Sequence, residues 1–232
     1  MPARHRIIDR RSVLRTAVTG LGMAMIAAGT SGCTPQERNP PMPARESTAQ
    51  GTPNERKTGR VLLAYFSRAG ENYHYGSRTN LTVGNTEVLA GMIGTLITCD
   101  VHRIEAADPY PEDYDATVAR NVREQNADAR PVIANLLPSI DQYDTVLLAS
   151  GIWNVRAPMI MTTFAESHDF AGKTIHPVTT YAMSGLGTTE RDYGDSCPGA
   201  TIGEGLAVRG EEVRGAGPDI QSWLRRTGFP ET

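Results

Sequence analysis

The chain has 232 residues, room for one domain plus accessories, and its 39% apolar and 21% charged residues are ordinary for a soluble globular protein. Its net charge is −3, but residues 1–32 carry five arginines and one acid, which leaves −7 on the remainder. That acidic body shows no cluster of Lys and Arg, which argues against nucleic acid as a main partner.

Residues 1–33 read as an export signal: a basic start, an uncharged apolar stretch from Ala17 to Ala28, then small residues. The stretch is shorter than the roughly 20 apolar residues of a membrane-crossing helix. Arg10-Arg11-Ser12-Val13-Leu14-Arg15 resembles the twin-arginine signal, which implies export in the folded state. Thr30-Ser31-Gly32-Cys33 resembles a bacterial lipobox with Thr30 where an aliphatic residue is usual; it implies lipidation at Cys33, with plain signal-peptidase cleavage as the alternative. Residues 34–59 are rich in Pro, Gln, Asn, Arg and Glu and read as a disordered linker. The expected location is the periplasm or the outer face of the membrane, with Cys33 as the only membrane attachment.

The folded region, residues 60–228, alternates short apolar runs with helical patterns. Val61 to Phe66 is a continuous apolar run, as in a strand buried on both faces. Glu71 to Val83 is a thirteen-residue insertion in the loop that follows. Glu87 to Thr98 has helical spacing, Val101 to Ile104 reads as a more exposed strand, and Tyr114 to Ala129 as a charged surface helix. Thr145 to Ala149 is a second buried strand, and a helix begins at Pro158, where a missing N–H costs little. Lys173 to Val178 is a strand, Thr188 to Asp195 a helix and Ala200 to Val208 a glycine-interrupted strand. Pro218 to Arg226 is a last helix ending at Gly228. Five strands alternating with helices predict a three-layer, doubly wound α/β domain with a parallel sheet. Cys99 and Cys197 then fall on opposite flanks and are expected to be unpaired.

Ligands of such sheets bind beyond the carboxyl ends of the strands. After the first strand, Ser67-Arg68-Ala69-Gly70 and Gly84-Asn85-Thr86-Glu87 bring small and hydroxylic residues to a helix N-terminus, a nest suited to a phosphate. Simple capping by Asn85 is the alternative. Trp153, just past the third strand, is placed to stack on a flat ligand or to fill the core edge. Tyr181 lies in a Gly- and Ser-rich loop after the fourth strand.

Tyr65-Phe66-Ser67-Arg68, Gly84-Asn85-Thr86-Glu87, Gly151-Ile152-Trp153, Gly172-Lys173-Thr174 and Ser184-Gly185-Leu186-Gly187 together resemble the flavodoxin family, particularly its larger flavodoxin-like branch. The resemblance covers about Arg60 to Gly228. It implies strand order 2-1-3-4-5 and FMN as cofactor. It places the phosphate at Ser67, Arg68, Ala69, Asn85 and Thr86, and the ring between Ile152, Trp153, Asn154 and Thr180, Tyr181, Ser184, Gly185. The insertion departs from small flavodoxins, which keep this loop contiguous.

No catalytic acid–base pair or paired metal spacing is visible, and His74 alone among the histidines falls near the expected site. Ser167 stands where a P-loop needs glycine, and Glu190 where a dinucleotide fingerprint needs glycine or alanine. The resemblance implies electron transfer at the cell envelope to a redox partner protein or a small-molecule acceptor. The alternatives are an FMN-dependent oxidoreductase acting on a quinone or other small acceptor, and a binding module of this fold without flavin.

Overall fold

The computed structural model describes residues 59–230. The export signal, Cys33 and all of the linker except Gly59 lie outside the described residues. Parallel strands β1 (Val61–Tyr65), β4 (Asp100–Arg103), β5 (Thr145–Gly151) and β6 (Thr174–Tyr181) lie side by side in the order β4-β1-β5-β6. The fifth place is shared by two short strands in succession, β7 (Thr201–Ile202) and β8 (Leu206–Arg209), both parallel to β6. This is the 2-1-3-4-5 order of a flavodoxin-like sheet.

A buried strand sends alternate side chains to opposite faces. Leu62 and Ala64 of β1, with Val146 and Leu148 of β5, meet Ile160, Met161 and Phe164 of α3 (Met159–Glu166) and Tyr193 of α4 (Thr189–Ser196). Leu63, Tyr65, Leu147 and Ala149 face the other way. They meet Leu89 and Ile93 of α1 (Asn85–Leu96) and Ile220, Trp223 and Leu224 of α5 (Gly217–Thr227). Cys197 belongs to the first layer, Cys99 packs against the second, and both are free thiols. The surface helix is α2 (Tyr114–Asn126), capped by the Asp113 carboxylate, which accepts from the Ala116 N–H at 2.7 Å.

The break in the fifth strand has a cause in β6. The Ile175 carbonyl accepts from the Gly203 N–H at 2.8 Å, so alternate residues of β6, counted from Ile175, bond toward the fifth strand. Pro177 is one of them and has no N–H to give. Here the chain bulges through Gly203, Glu204 and Gly205. A Cβ at Gly203 would collide with the His176 ring, and the Glu204 carbonyl accepts from Trp223 Nε1 at 3.0 Å.

The insertion Glu71 to Val83, read from sequence only as an insertion in the loop, is an ordered antiparallel hairpin, β2 (Gly70–His74) with β3 (Ser77–Leu81). Its two-residue turn, Tyr75-Gly76, has φ of 45° and 83°, the positive pair that a type I′ turn needs. Neither strand has a buried apolar face to announce it.

His102 of β4 stacks on Phe164 at 6.0 Å, and His168 meets the same ring edge-on at 4.7 Å. Burial pushes both imidazoles below their ordinary range, against weaker opposing pulls from Glu105 and Asp141. A group whose folded pKa is depressed stabilises the fold above its unfolded value of about 6.5, and that stability is lost as pH falls below it. The urea midpoint is therefore expected to drop between about pH 7.5 and 5. His102→Gln should flatten that drop, and an unchanged pH slope in the variant contradicts it.

Candidate functional site

A cleft of about 600 Å3 opens at the carboxyl ends of β1, β5 and β6. At one end lies the N-terminus of α1. Its N-cap is Gly84, which has no side chain to cap with, and Asn85 is the first helical residue, so the alternative of simple capping by Asn85 is not seen. Ser67 takes that role from across the insertion, its Oγ accepting from the Glu87 N–H at 3.1 Å. A Cβ at Gly84 would collide with Ser67 Oγ and the Arg68 carbonyl, so only glycine lets the two halves of the loop close. Thr86, almost fully buried, shares a 2.7 Å hydrogen bond with Thr180 of β6. The first N–H groups of a helix have no intrahelical acceptor, and the dipole makes this end favourable for an anion.

Arg68 lines this end but its guanidinium is engaged elsewhere. Nη1 donates to the carbonyls of Pro111 (3.0 Å) and Glu112 (2.8 Å), and Nη2 to that of Glu71. Burial pulls its pKa below the ordinary guanidinium range, with nearby acids, Glu71 first, opposing. Arg68 ties the base of the hairpin to the loop before α2 and contributes its charge to the cleft from there.

The loops after β5 and β6 are pinned to each other. The Ile152 N–H donates to the Thr180 carbonyl at 2.9 Å, and the Thr188 N–H to the Val155 carbonyl at 2.8 Å. Asn154 and Val155 have φ of 54° and 65°, a strained pair in which the β-branched Val155 is the outlier. Trp153 meets Phe66 at 5.8 Å and Tyr110 at 5.2 Å, both edge-to-face, and still lines the cleft, so it serves core edge and site together. Gln125 of α2 donates to the Trp153 carbonyl at 2.9 Å and accepts from Asn154 Nδ2 at 3.0 Å. Arg209 of β8 donates to the Ala182 carbonyl at 2.7 Å with its guanidinium 5.7 Å from the Tyr181 ring centre.

Of the twelve residues expected from sequence, Ser67, Arg68, Asn85, Thr86, Ile152, Trp153, Asn154, Thr180, Tyr181 and Ser184 line this cleft. Ala69 lines an adjoining hollow instead. Gly185 turns away at φ 57°, its carbonyl accepting from Thr179 Oγ1 at 3.0 Å. His74 is exposed in the hairpin, its ring 5.0 Å from that of Tyr75. The insertion, whose aromatic residues Tyr73, His74 and Tyr75 the sequence offered as shaping the site, brings Tyr73 of β2 to the cleft; sequence reasoning missed the wall supplied by α2, with Tyr114, Val118 and Val122, and the contribution of Glu211. The i, i+4, i+8 spacing of Tyr114, Val118 and Val122 was the available signal. Among the described residues no group of three or more His, Cys, Asp and Glu could hold a metal ion.

The flavodoxin family's sequence profile matches residues 60–226. Among solved structures, the chain is similar to a protein of Bacteroides uniformis ATCC 8492 assigned as a flavoprotein. The two share 27% identity with a TM-score of 0.57, over 72% of this chain and 98% of that one. A counterpart from Bacteroides eggerthii DSM 20697, also assigned as a flavoprotein, shows 26% identity and a TM-score of 0.58, over 74% and 99%. No curated protein matches the chain.

The Thr86–Thr180 bond gives a direct test of the cradle. Thr86→Val leaves a buried hydroxyl without its partner and is expected to cost about 1–3 kcal/mol in denaturant unfolding. Adding Thr180→Val should cost far less than the same change in the wild type. Strictly additive losses would show that the two hydroxyls are not coupled.

Proposed function

The chain belongs to the flavodoxin family, and from that premise we propose that its cleft binds FMN and that the protein transfers electrons at the cell envelope. The observation that carries the cofactor reading is the cradle at α1, where Gly84 alone permits the closure of two loop segments separated by a hairpin. The residues fit the group. Ser67 Oγ accepts from Glu87 and keeps its own hydrogen to donate to a phosphate oxygen. The N–H groups of Asn85 and Thr86 and the helix dipole add to this. The aromatic surface of Trp153 and Tyr181, on loops fixed to each other and to α2 and β8, suits a flat heterocycle.

FMN supplies the redox chemistry when bound. The chain's part is to hold it, to shield its ring from water and to set its surroundings. Glu211 is the carboxylate lining the cleft; its Oε1 accepts from the Tyr75 N–H at 3.1 Å, which joins the hairpin tip to the 3-10 helix Gly210–Gly215.

The envelope location rests on the N-terminal residues: the Arg10-Arg11 pair, the short apolar stretch and Cys33. Among the described residues no helix is long and apolar enough to cross a membrane. Cys33→Ser is expected to move the protein from the membrane to the soluble fraction of the envelope. An unchanged distribution contradicts lipid attachment.

Purified chain is expected to be yellow, or to become so with added FMN, quenching its fluorescence at one equivalent per chain. A folded, colourless protein that quenches none contradicts the flavin reading and favours a binding module that kept the fold alone.

A further inference from the structure

The cleft is wider than its three loops. Tyr114, Val118 and Val122 recur every four residues of α2 and form one stripe along the cleft wall. The residues that α2 buries are polar, Thr117 and Asn121, while Val118 and Val122 each remain 42% exposed. The helix is thus inverted relative to an ordinary surface helix, which turns its apolar stripe to the core. Tyr73 of β2 extends the wall, and the loops after β5 and β6 add the exposed side chains of Val155 and Met183.

This wall is built rather than loose. Arg78 of β3 grips the Asp115 carboxylate with both nitrogens, at 2.9 and 2.6 Å, and its guanidinium lies 4.6 Å from the Tyr114 ring centre. Glu71 accepts from the Tyr114 N–H at 3.2 Å. The hairpin therefore braces the N-terminal turn of α2, and Gln125 braces the other end against Trp153 and Asn154.

We propose that the α2–hairpin wall is the binding subsite for a small, flat, uncharged electron acceptor of the quinone class, seated beside the flavin. The inference rests on the FMN reading and names the acceptor for that same cleft. Tyr73, Tyr114, Val118, Val122, Val155 and Met183 offer aromatic, aliphatic and thioether surface, while the cleft's two charged side chains are engaged elsewhere, Arg68 with three backbone carbonyls and Glu211 with the Tyr75 N–H, so this wall favours a neutral, apolar occupant. The surface is concave and continuous with Trp153 and Tyr181, which selects a small molecule that reaches the flavin over the convex face of a carrier protein. The reaction balances: reduced FMN gives two electrons and two protons to the quinone, yielding hydroquinone and oxidised FMN. An external reductant, dithionite in the assay, restores the reduced flavin.

The test uses the full chain loaded with FMN, reduced anaerobically with dithionite and mixed in a stopped-flow with 2-methyl-1,4-naphthoquinone or with ferricyanide. Reoxidation by the naphthoquinone should saturate with its concentration. Val118→Ser together with Val122→Ser should raise the half-saturating concentration at least about tenfold, because apolar contact is lost. The FMN dissociation constant is measured for each variant, the ferricyanide rate at full FMN loading should fall far less than the naphthoquinone reaction does, and Val118→Leu with Val122→Leu should keep the wild-type saturation. Linear, non-saturating reoxidation, or equal losses with both oxidants, overturns the subsite while leaving FMN binding intact. A chain that takes up no FMN overturns the flavin reading, and the subsite with it.

Discussion

Everything at this cleft depends on one closure: Ser67 Oγ accepting the Glu87 N–H across a thirteen-residue insertion. The phosphate nest of such a fold needs the end of β1 and the start of α1 within hydrogen-bond reach. Here the chain leaves, folds a hairpin and returns. Gly84 makes the return possible because no Cβ stands between the two segments, and Thr86 then fastens the helix start to β6 through Thr180. A helix whose N-cap residue has no side chain is completed by a residue seventeen positions away from it in sequence. That is an arrangement of tertiary structure, not of local propensity.

The same logic separates what the sequence disclosed from what it did not. Strands buried on both faces announce themselves as unbroken apolar runs, and β1 and β5 were legible for that reason. The weak last strand was legible through its glycines, but its cause was not: Pro177 lacks the N–H on the side of β6 that would bind it. The hairpin was not legible as structure. Its strands are polar, its turn is Tyr-Gly in place of the commoner Asn-Gly, and its stability comes from Arg68, Arg78 and Glu71 contacts over distances no short-range pattern records. Asn85 looked like a cap on residue type alone. The cap residue proved to be Gly84, one position earlier, because Ser67 supplied the hydrogen bond from outside the helix.

The site residues followed the same division. Loops at strand ends were findable because the fold class dictates where ligands bind, and ten of the twelve expected residues line the cleft. Side-chain assignments were harder. Arg68 sits where a phosphate contact was expected, yet its guanidinium serves three backbone carbonyls. Asn154 reaches Gln125. The α2 wall went unread because a helix with exposed valines and buried Thr and Asn looks merely charged and superficial until the cleft beside it is known.

The central claim is that the α1 cradle holds a phosphate, and comparing FMN with riboflavin isolates it, since the two ligands differ only there. Titration of the purified chain with each, followed by flavin fluorescence, should give FMN binding at least about 100-fold tighter than riboflavin, the scale of a few charge-assisted hydrogen bonds. Equal affinities for the two would contradict the account.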